Sequence, residues 1–463
     1  MICSFFTYKP YQKKPLLNVY QMTKTSKIPV VQKELLFPFI IITSLFALWG
    51  VANDLTNPMV SAFKKVMPEL SNMQASLVQF AFYFGYFFMA LPAALFIRKY
   101  SYKSGIILGL CLYASGAFLF YPAAAYQDYN FFLISLWVIT CGLAFLETTS
   151  NPLILALGDK ETATRRLNLA QSFNPVGSLM GMIVAQQFVI SALRSDDKDA
   201  SGALIYDTLS ETAKAGIREN DLGIISVPYI ILGLVVLAIM VIIFFTKIPK
   251  TADHDKMSIS ESFQKLFANK TYIQGVIAQA FYVGAQIMCW TFIFQYVDNI
   301  NESLAESEQL TASWFNISAM IIFLTGRWIG TALMKTINPS KILMLFGIGG
   351  VVFCTGTILL SGTAGLYCLV GISLFMSIMF PTIYGIALKD MGDEAKIGSA
   401  GLVMAIVGGA LMPVLQGSIL DWGGSGFSDV KILGFIPEVN FSFILPLICL
   451  AVVANYGRMT LKN

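Results

Sequence analysis

The sequence contains one histidine in 463 residues, and only 13% of its residues are Asp, Glu, Lys or Arg. Soluble domains carry about 25% charge and roughly 45–50% apolar residues, whereas 56% of this chain is hydrophobic. A soluble domain of this length could not hide so much apolar surface, so that class is excluded. There is no HExxH and no Ser/His constellation, and the lone His254 falls in a polar stretch, which argues against an intramembrane enzyme. No cofactor motif is present, so none is expected. The seven cysteines form no CxxC pair. Cys111, Cys141, Cys289, Cys354, Cys368 and Cys449 lie in apolar runs and read as small hydrophobes in helix packing. The first residues are basic and mixed and lack the short apolar core and cleavage site of a signal peptide, so the first apolar run is expected to stay in the chain. Met22, followed by Thr-Lys-Thr-Ser-Lys, is a second candidate start, with residues 1–21 then an extension. The net charge of +4 gives no reason to expect a nucleic acid partner.

What is abundant is apolar sequence in long, nearly uncharged runs. A membrane-spanning helix needs about 20 such residues. Runs of that kind cover 35–58, 75–97, 105–124, 130–157, 167–192 and 223–246, then 272–297, 310–335, 341–361, 364–388, 398–420 and 440–457. The expectation is an all-α membrane protein of twelve spans, six and six. Short loops rich in Lys and Arg stay on the cytoplasmic side. Lys9, Lys13, Lys14, Lys24, Lys27 and Lys33 precede the first span; Arg98, Lys99 and Lys103 follow the second; Lys160, Arg165 and Arg166 follow the fourth. Lys247, Lys250, Lys256, Lys265 and Lys270 follow the sixth, whereas Asp298, Glu302, Glu306 and Glu308 follow the seventh. Both termini are therefore expected in the cytoplasm, and the segment 193–222 outside.

The domain reading follows: a tail over 1–34, a six-helix bundle over 35–247, a cytoplasmic linker over 248–271, a second bundle over 272–458 and a short tail over 459–463. An internal repeat supports it. Ala94-Leu95, Lys103 and Gly109 recur as Ala332-Leu333, Lys341 and Gly347, all at one offset, between the second and third spans of each half. Two parallel repeats of this kind place a substrate site at mid-membrane, between halves that rock about it.

Charge inside the bilayer is costly, at least ~2.5–3.5 kcal/mol per group, and so marks function. Asp54 in the first span and Glu147 in the fourth are the carboxylates concerned. A carboxyl group in low dielectric favours its neutral form and can exchange a proton near neutral pH, which is the chemistry of proton coupling. Arg327, in the eighth span, is read either as a counter-ion to a carboxylate or as a side chain reaching for the surface. Amides add a second signal. Asn53 with Asn57, Glu147 with Asn151, and Gln171 with Asn174 each fall three or four residues apart and share a helix face. Tyr282, Gln286 and Trp290 form one stripe in the seventh span. Amides, a carboxylate and aromatic faces suit a sugar, with hydrogen bonds to hydroxyls and stacking on its C–H face. The alternative is interhelical glue and packing. Pro58, Pro152 and Pro175 are expected to break helices just beyond these polar turns.

Specific strings carry a family resemblance over residues 38–420: Trp49-Gly-Val-Ala-Asn-Asp54, Gln79-Phe-Ala-Phe-Tyr-Phe-Gly-Tyr86, Ser101-Tyr-Lys-Ser-Gly105, Leu146-Glu147, Asn151-Pro152, Arg166-Leu-Asn-Leu-Ala-Gln171-Ser-Phe-Asn174, Tyr282-Val-Gly-Ala-Gln286 with Cys289-Trp290, and Pro381-Thr-Ile383. In these the chain resembles the fucose permease branch of the major facilitator superfamily. The resemblance implies L-fucose–proton symport, with a span-one Asp and a span-four Glu handling the proton. The chain is expected in a bacterial inner membrane as a monomer, with sugar, proton and membrane lipid as partners. Glu147 matches the family's span-four Glu, Gln171 and Asn174 its span-five amides, and Trp290 its span-seven Trp. Span one departs: Asp54 stands where the family has Asn, and Asn57 where it has Asp. Phe380 stands where a Tyr is expected. Related branches carry glucose, galactose or N-acetylglucosamine, with proton or sodium, and these are the alternative substrates. A multidrug antiporter is the distant alternative, since it would want aromatics without so many convergent amides.

Overall fold

A computed structural model describes residues 28–56, 58–70, 72–197, 204–248, 258–392, 394–420 and 431–461. Among these residues twelve helices are long and apolar enough to cross a membrane. They are α1 (Lys33–Thr56), α2 (Phe80–Lys99), α3 (Tyr102–Tyr126), α4 (Tyr129–Ala156), α5 (Lys160–Ala192), α6 (Glu211–Phe245), α7 (Lys270–Asn301), α8 (Ala312–Leu333), α9 (Pro339–Leu359), α10 (Gly362–Ala387), α11 (Glu394–Leu420) and α12 (Glu438–Thr460). Polar turns between the apolar runs supply their caps. Ser101 Oγ accepts from the Ser104 amide, Asp128 from that of Asn130, Asn269 from that of Tyr272 and Asn338 from that of Ser340.

The packing repeats. In the first half α1 lies on α5, α2 on α4, and α3 on both α4 and α6; in the second, α7 lies on α11, α8 on α10, and α9 on both α10 and α12. Each pair in one half is thus matched six helices later in the other. The α1–α5 and α7–α11 pairs depend on glycine for close approach. A Cβ on Gly50 would sit 2.0 Å from the Asn174 carbonyl oxygen, and one on Gly177 at 1.8 Å from that of Ala47. On α11 a Cβ at Gly408 would fall 2.1 Å from the Ala280 carbonyl oxygen of α7. Helices in lipid associate through such small-residue contacts, there being no hydrophobic gain to drive them together.

Several expectations change. α6 begins at Glu211, well before 223, because Ser210 caps a polar first turn that extends the helix beyond the apolar run. Pro58 does end α1, and a separate short helix, Met59–Val66, follows it. Pro175 likewise starts a new segment, Asn174–Val184, after α5 is interrupted at Ser172 and Phe173. Pro152, by contrast, sits inside the continuous helix Tyr129–Ala156 and does not break it. Cys111 is exposed rather than packed between helices, while Cys141, Cys289, Cys354 and Cys449 are buried. Gly109 packs on α4 but Gly347 on α12, so those two repeat positions correspond in sequence and not in contact. Met22, Asn57, His254 and residues 249–257 of the expected linker lie outside the described residues.

The halves meet most densely at one end of the bundle, where α2, α4, α8 and α10 finish and α5 and α11 begin. There α11 lies on α2 and α4, and α5 on α8 and α10. Ser399 Oγ donates to the Thr148 carbonyl oxygen at 3.1 Å, and Asn168 Nδ2 to Thr382 Oγ1 at 3.2 Å. Lys396 stands over the Tyr102 ring at 5.7 Å. A short helix, Ile259–Ala268, crosses this end: Arg98 donates to Ser262, and Lys265 pairs with Glu394 at 3.4 Å.

Candidate binding cavity between the halves

A cavity of about 140 Å³ lies between the two six-helix sets. That is about ten times the ~10–15 Å³ needed to seat one water, a space on the scale of one monosaccharide. One wall comes from the first half: Trp49, Asn53 and Asp54 of α1, Tyr83 and Tyr86 of α2, Glu147 of α4, and Gln171, Asn174 and Ser178 of α5. The other wall is Tyr282, Gln286 and Trp290 of α7, Met320, Phe323 and Arg327 of α8, Phe380 of α10 and Ile406 of α11.

Local structure explains why these side chains converge. Asp54 occupies the last turn of α1, two residues before the helix ends at Thr56. α1 is held in place by Trp49 Nε1 donating to the Leu143 carbonyl of α4 at 3.3 Å, and by Tyr113 of α3 donating to that of Leu48 at 3.1 Å. Gln171 and Asn174 do not share an unbroken helix face as their spacing suggests; the break at Ser172 and Phe173 separates them, yet both line the cavity. Gln171 Nε2 donates to Asn151 Oδ1 at 2.8 Å, and Asn174 Nδ2 to the Phe46 carbonyl at 3.2 Å. Asn151 is itself fully buried and not part of the lining; it orients Gln171 from behind. Trp290 is fixed by Nε1 donating to Ser373 Oγ at 3.1 Å and by an edge contact with Phe323 at 5.0 Å. Tyr282 and Phe380 meet edge to face at 6.3 Å.

Glu147 Oε2, Asn53 Oδ1 and the Tyr282 hydroxyl are buried atoms with no hydrogen-bond partner in the protein. An unsatisfied buried polar group costs ~1–3 kcal/mol. Three of them among residues that line one cavity suit a ligand with several hydroxyls, which can donate and accept. The aromatic faces of Trp290, Phe323 and Phe380 offer the apolar stacking that goes with such a ligand.

Arg327 fits neither of its two expectations. It is 3% exposed, so it does not reach the surface, and among the described residues it pairs with no carboxylate. Its guanidinium donates through Nη1 to the Gln171 carbonyl of α5 at 2.9 Å and through Nε to that of Ser377 in α10, and it lies 4.6 Å from the Phe323 ring. Backbone carbonyls from both halves take the place of a carboxylate partner, tying the amide wall to the aromatic wall.

Of the eleven residues expected at the site, nine line the cavity, Asn151 stands behind it and Asn57 is outside the described residues. Tyr83, Tyr86, Trp49 and Phe323 also line it, although sequence reasoning did not single them out. Tyr83 and Tyr86 are three apart and therefore on one face of α2, which is the signal that would have found them.

The family model of the Major Facilitator Superfamily matches residues 35–416. The chain is 56% identical to the L-fucose-proton symporter of Haemophilus influenzae, over 92% of this chain and 97% of that protein. It is 31% identical to the glucose/galactose transporter of Brucella abortus, over 93% and 96% of the two chains. The crystal structure of FucP, a major facilitator transporter in the outward conformation, superposes with a TM-score of 0.80 at 32% identity, over 92% of this chain and 99% of that one.

Proposed function

We infer, because this chain belongs to the Major Facilitator Superfamily, that it is a bacterial inner-membrane symporter that imports L-fucose with a proton by alternating access. The observation that carries the reading is the cavity between the halves, where the unpartnered Glu147 carboxyl oxygen shares a lining with Asn53, Asp54, Gln171, Asn174 and Gln286. The similarity to the Haemophilus influenzae L-fucose-proton symporter supports this substrate over the alternatives. It is not an enzyme. The working unit is taken as one chain in lipid.

In this reading the basic loops mark the cytoplasmic side, so both termini lie there and the densely packed end of the bundle is the cytoplasmic gate. The carrier is then closed inward. A proton binds Glu147, with Asp54 close by on the same wall, and one sugar binds among the amides and Trp290. Neutralising the buried acid lowers the cost of carrying it through a closed, dehydrated intermediate, so only the loaded carrier crosses readily. One proton moving down 100 mV supplies ~2.3 kcal/mol, and one pH unit adds ~1.4 kcal/mol. Together they sustain a sugar gradient of several hundredfold, at ~1.4 kcal/mol per tenfold.

The test is uptake of labelled L-fucose into proteoliposomes with and without an inward proton gradient, challenged by unlabelled D-glucose, D-galactose and N-acetylglucosamine. Gradient-stimulated uptake that resists the other sugars is expected. Transport of a competitor in place of L-fucose would move the chain to a hexose branch, with Phe380 and Asp54 as the residues to change first.

A further inference from the structure

α7 is not one unbroken helix. Its first segment runs Lys270–Thr291, Phe292 forms a turn, and a second segment, Ile293–Asn301, follows. The last carbonyls of a helical segment have no partner within it and must find one elsewhere. That of Trp290, the next to last residue of the first segment, accepts from Asn316 Nδ2 of α8 at 3.1 Å. Asn316 is half-buried and is not part of the cavity lining. It stands one turn before Met320, on the α8 face that continues through Phe323 and Arg327, and these three do line the cavity. Trp290 is therefore gripped at three places. Asn316 holds its carbonyl, Phe323 meets its ring edge at 5.0 Å, and Ser373 Oγ of α10 accepts from its indole Nε1 at 3.1 Å. Two of the three grips come from one face of α8. The second segment of α7 takes anchors of its own. Asn301 Nδ2 donates to the Leu310 carbonyl at 2.9 Å, the Leu310 amide returns to Asn301 Oδ1 at 2.8 Å, and the Tyr296 hydroxyl donates to the Thr357 carbonyl at 3.2 Å. The break thus leaves Trp290 at the end of the cavity-facing stripe that begins at Tyr282, and Asn316 caps that end.

We propose that Asn316 is a positioning residue for sugar binding. By capping the broken end of the first α7 segment, it holds the Trp290 ring in the orientation that stacks on the sugar. It acts from behind Trp290 and touches no sugar itself. Without the cap the last turn of the segment frays, and the indole samples orientations that binding must then remove. That ordering cost falls on affinity and not on coupling, because the carboxylates lie on the opposite wall. The inference rests on the reading of the cavity as a sugar site with Trp290 as a stacking face.

The experiment measures KM and the accumulation ratio for L-fucose in proteoliposomes carrying wild type, Asn316→Leu, Trp290→Ala or both substitutions. Leu is close to Asn in shape and cannot donate a hydrogen bond. In Asn316→Leu the KM is expected to rise about three- to fivefold, the effect of losing one neutral hydrogen bond. The accumulation ratio at saturating sugar is expected to stay within about twofold of wild type. In the Trp290→Ala background the same substitution should change KM by less than about twofold, because effects that act through one side chain do not add. A residue with only a packing role would lower the amount of folded carrier and leave KM where it was. If Asn316→Leu folds poorly, Asn316→Ala also lacks the donor and carries the same expectations. An unchanged KM in the folded variant overturns the role of Asn316, and a rise of equal size in both backgrounds overturns its route through Trp290. Trp290→Ala with a wild-type KM overturns the stacking face instead, and wild type that moves no L-fucose overturns the proposed function, so the failures are distinguishable.

Discussion

The two walls of the cavity are built by the same helix pairing and carry different chemistry. The first-half wall holds both carboxylates, Asp54 and Glu147, with the amides Asn53, Gln171 and Asn174. The second-half wall holds one amide, Gln286, among the aromatic side chains of Tyr282, Trp290, Phe323 and Phe380, with Arg327 as its base. Both walls carry aromatic rings, the first through Trp49, Tyr83 and Tyr86; what divergence within the repeated scaffold confined to one wall is the pair of carboxylates. Neither wall is a complete site. In the proposed reading a sugar is satisfied only when the walls approach, which is how occupancy would favour closure. Arg327 already spans the gap, with one carbonyl partner on α5 and another on α10.

If the division is real, the largest effect comes from the first-half wall and falls on coupling, not on affinity. Glu147→Gln keeps the shape of the side chain and removes its proton. Uphill accumulation is expected to drop from hundredfold or more to about onefold, since the ~3.7 kcal/mol available from potential and pH together is no longer connected to the sugar. Exchange of labelled for unlabelled sugar across the membrane should continue. Asp54→Asn is the comparison that sharpens this result. Should Asp54→Asn abolish accumulation while Glu147→Gln leaves it intact, the proton belongs to α1.

The second-half wall is expected to answer with affinity alone. Trp290→Ala removes a half-buried indole that Ser373 and Phe323 hold in place. A stacking face of this kind contributes ~0.5–1.5 kcal/mol, so KM should rise about two- to tenfold while the accumulation ratio at saturating sugar stays near wild type. Trp290→Phe, which keeps an aromatic face, should recover most of the loss. A Trp290→Ala carrier that binds normally but no longer couples would erase the distinction between the walls.

Much of this was legible in the sequence for physical reasons. Charge is so costly in a bilayer that the spans announce themselves, and Asp54 and Glu147 stand out against an apolar background. Spacing placed Tyr282, Gln286 and Trp290 on one face of α7, and all three line the cavity. Spacing failed where the helix is not regular. Gln171 and Asn174 converge despite a break between them, and Pro152 leaves α4 intact because a proline's consequences depend on what packs around the turn it interrupts. Partners across the interface were not legible either. That Arg327 binds two backbone carbonyls depends on where α5 and α10 interrupt their own hydrogen-bonding ladders, which no local pattern encodes.

The smallest expected effect tests whether the amide wall is pre-organised or adaptable. Asn151 is fully buried behind the cavity, and its Oδ1 accepts from Gln171 Nε2 at 2.8 Å. Asn151→Ala leaves the Gln171 amide free to turn, and a single neutral hydrogen bond contributes about 1 kcal/mol. Sugar affinity should therefore weaken about fivefold, with the accumulation ratio unchanged, because Glu147 is untouched. Asn151→Asp retains an acceptor at the same distance and should recover binding if orientation of Gln171 is what matters. Loss of coupling in Asn151→Ala would instead mean that the carboxylate and the amides of this wall act as one unit, and the line between proton handling and sugar recognition would have to be drawn inside the first half rather than between the halves.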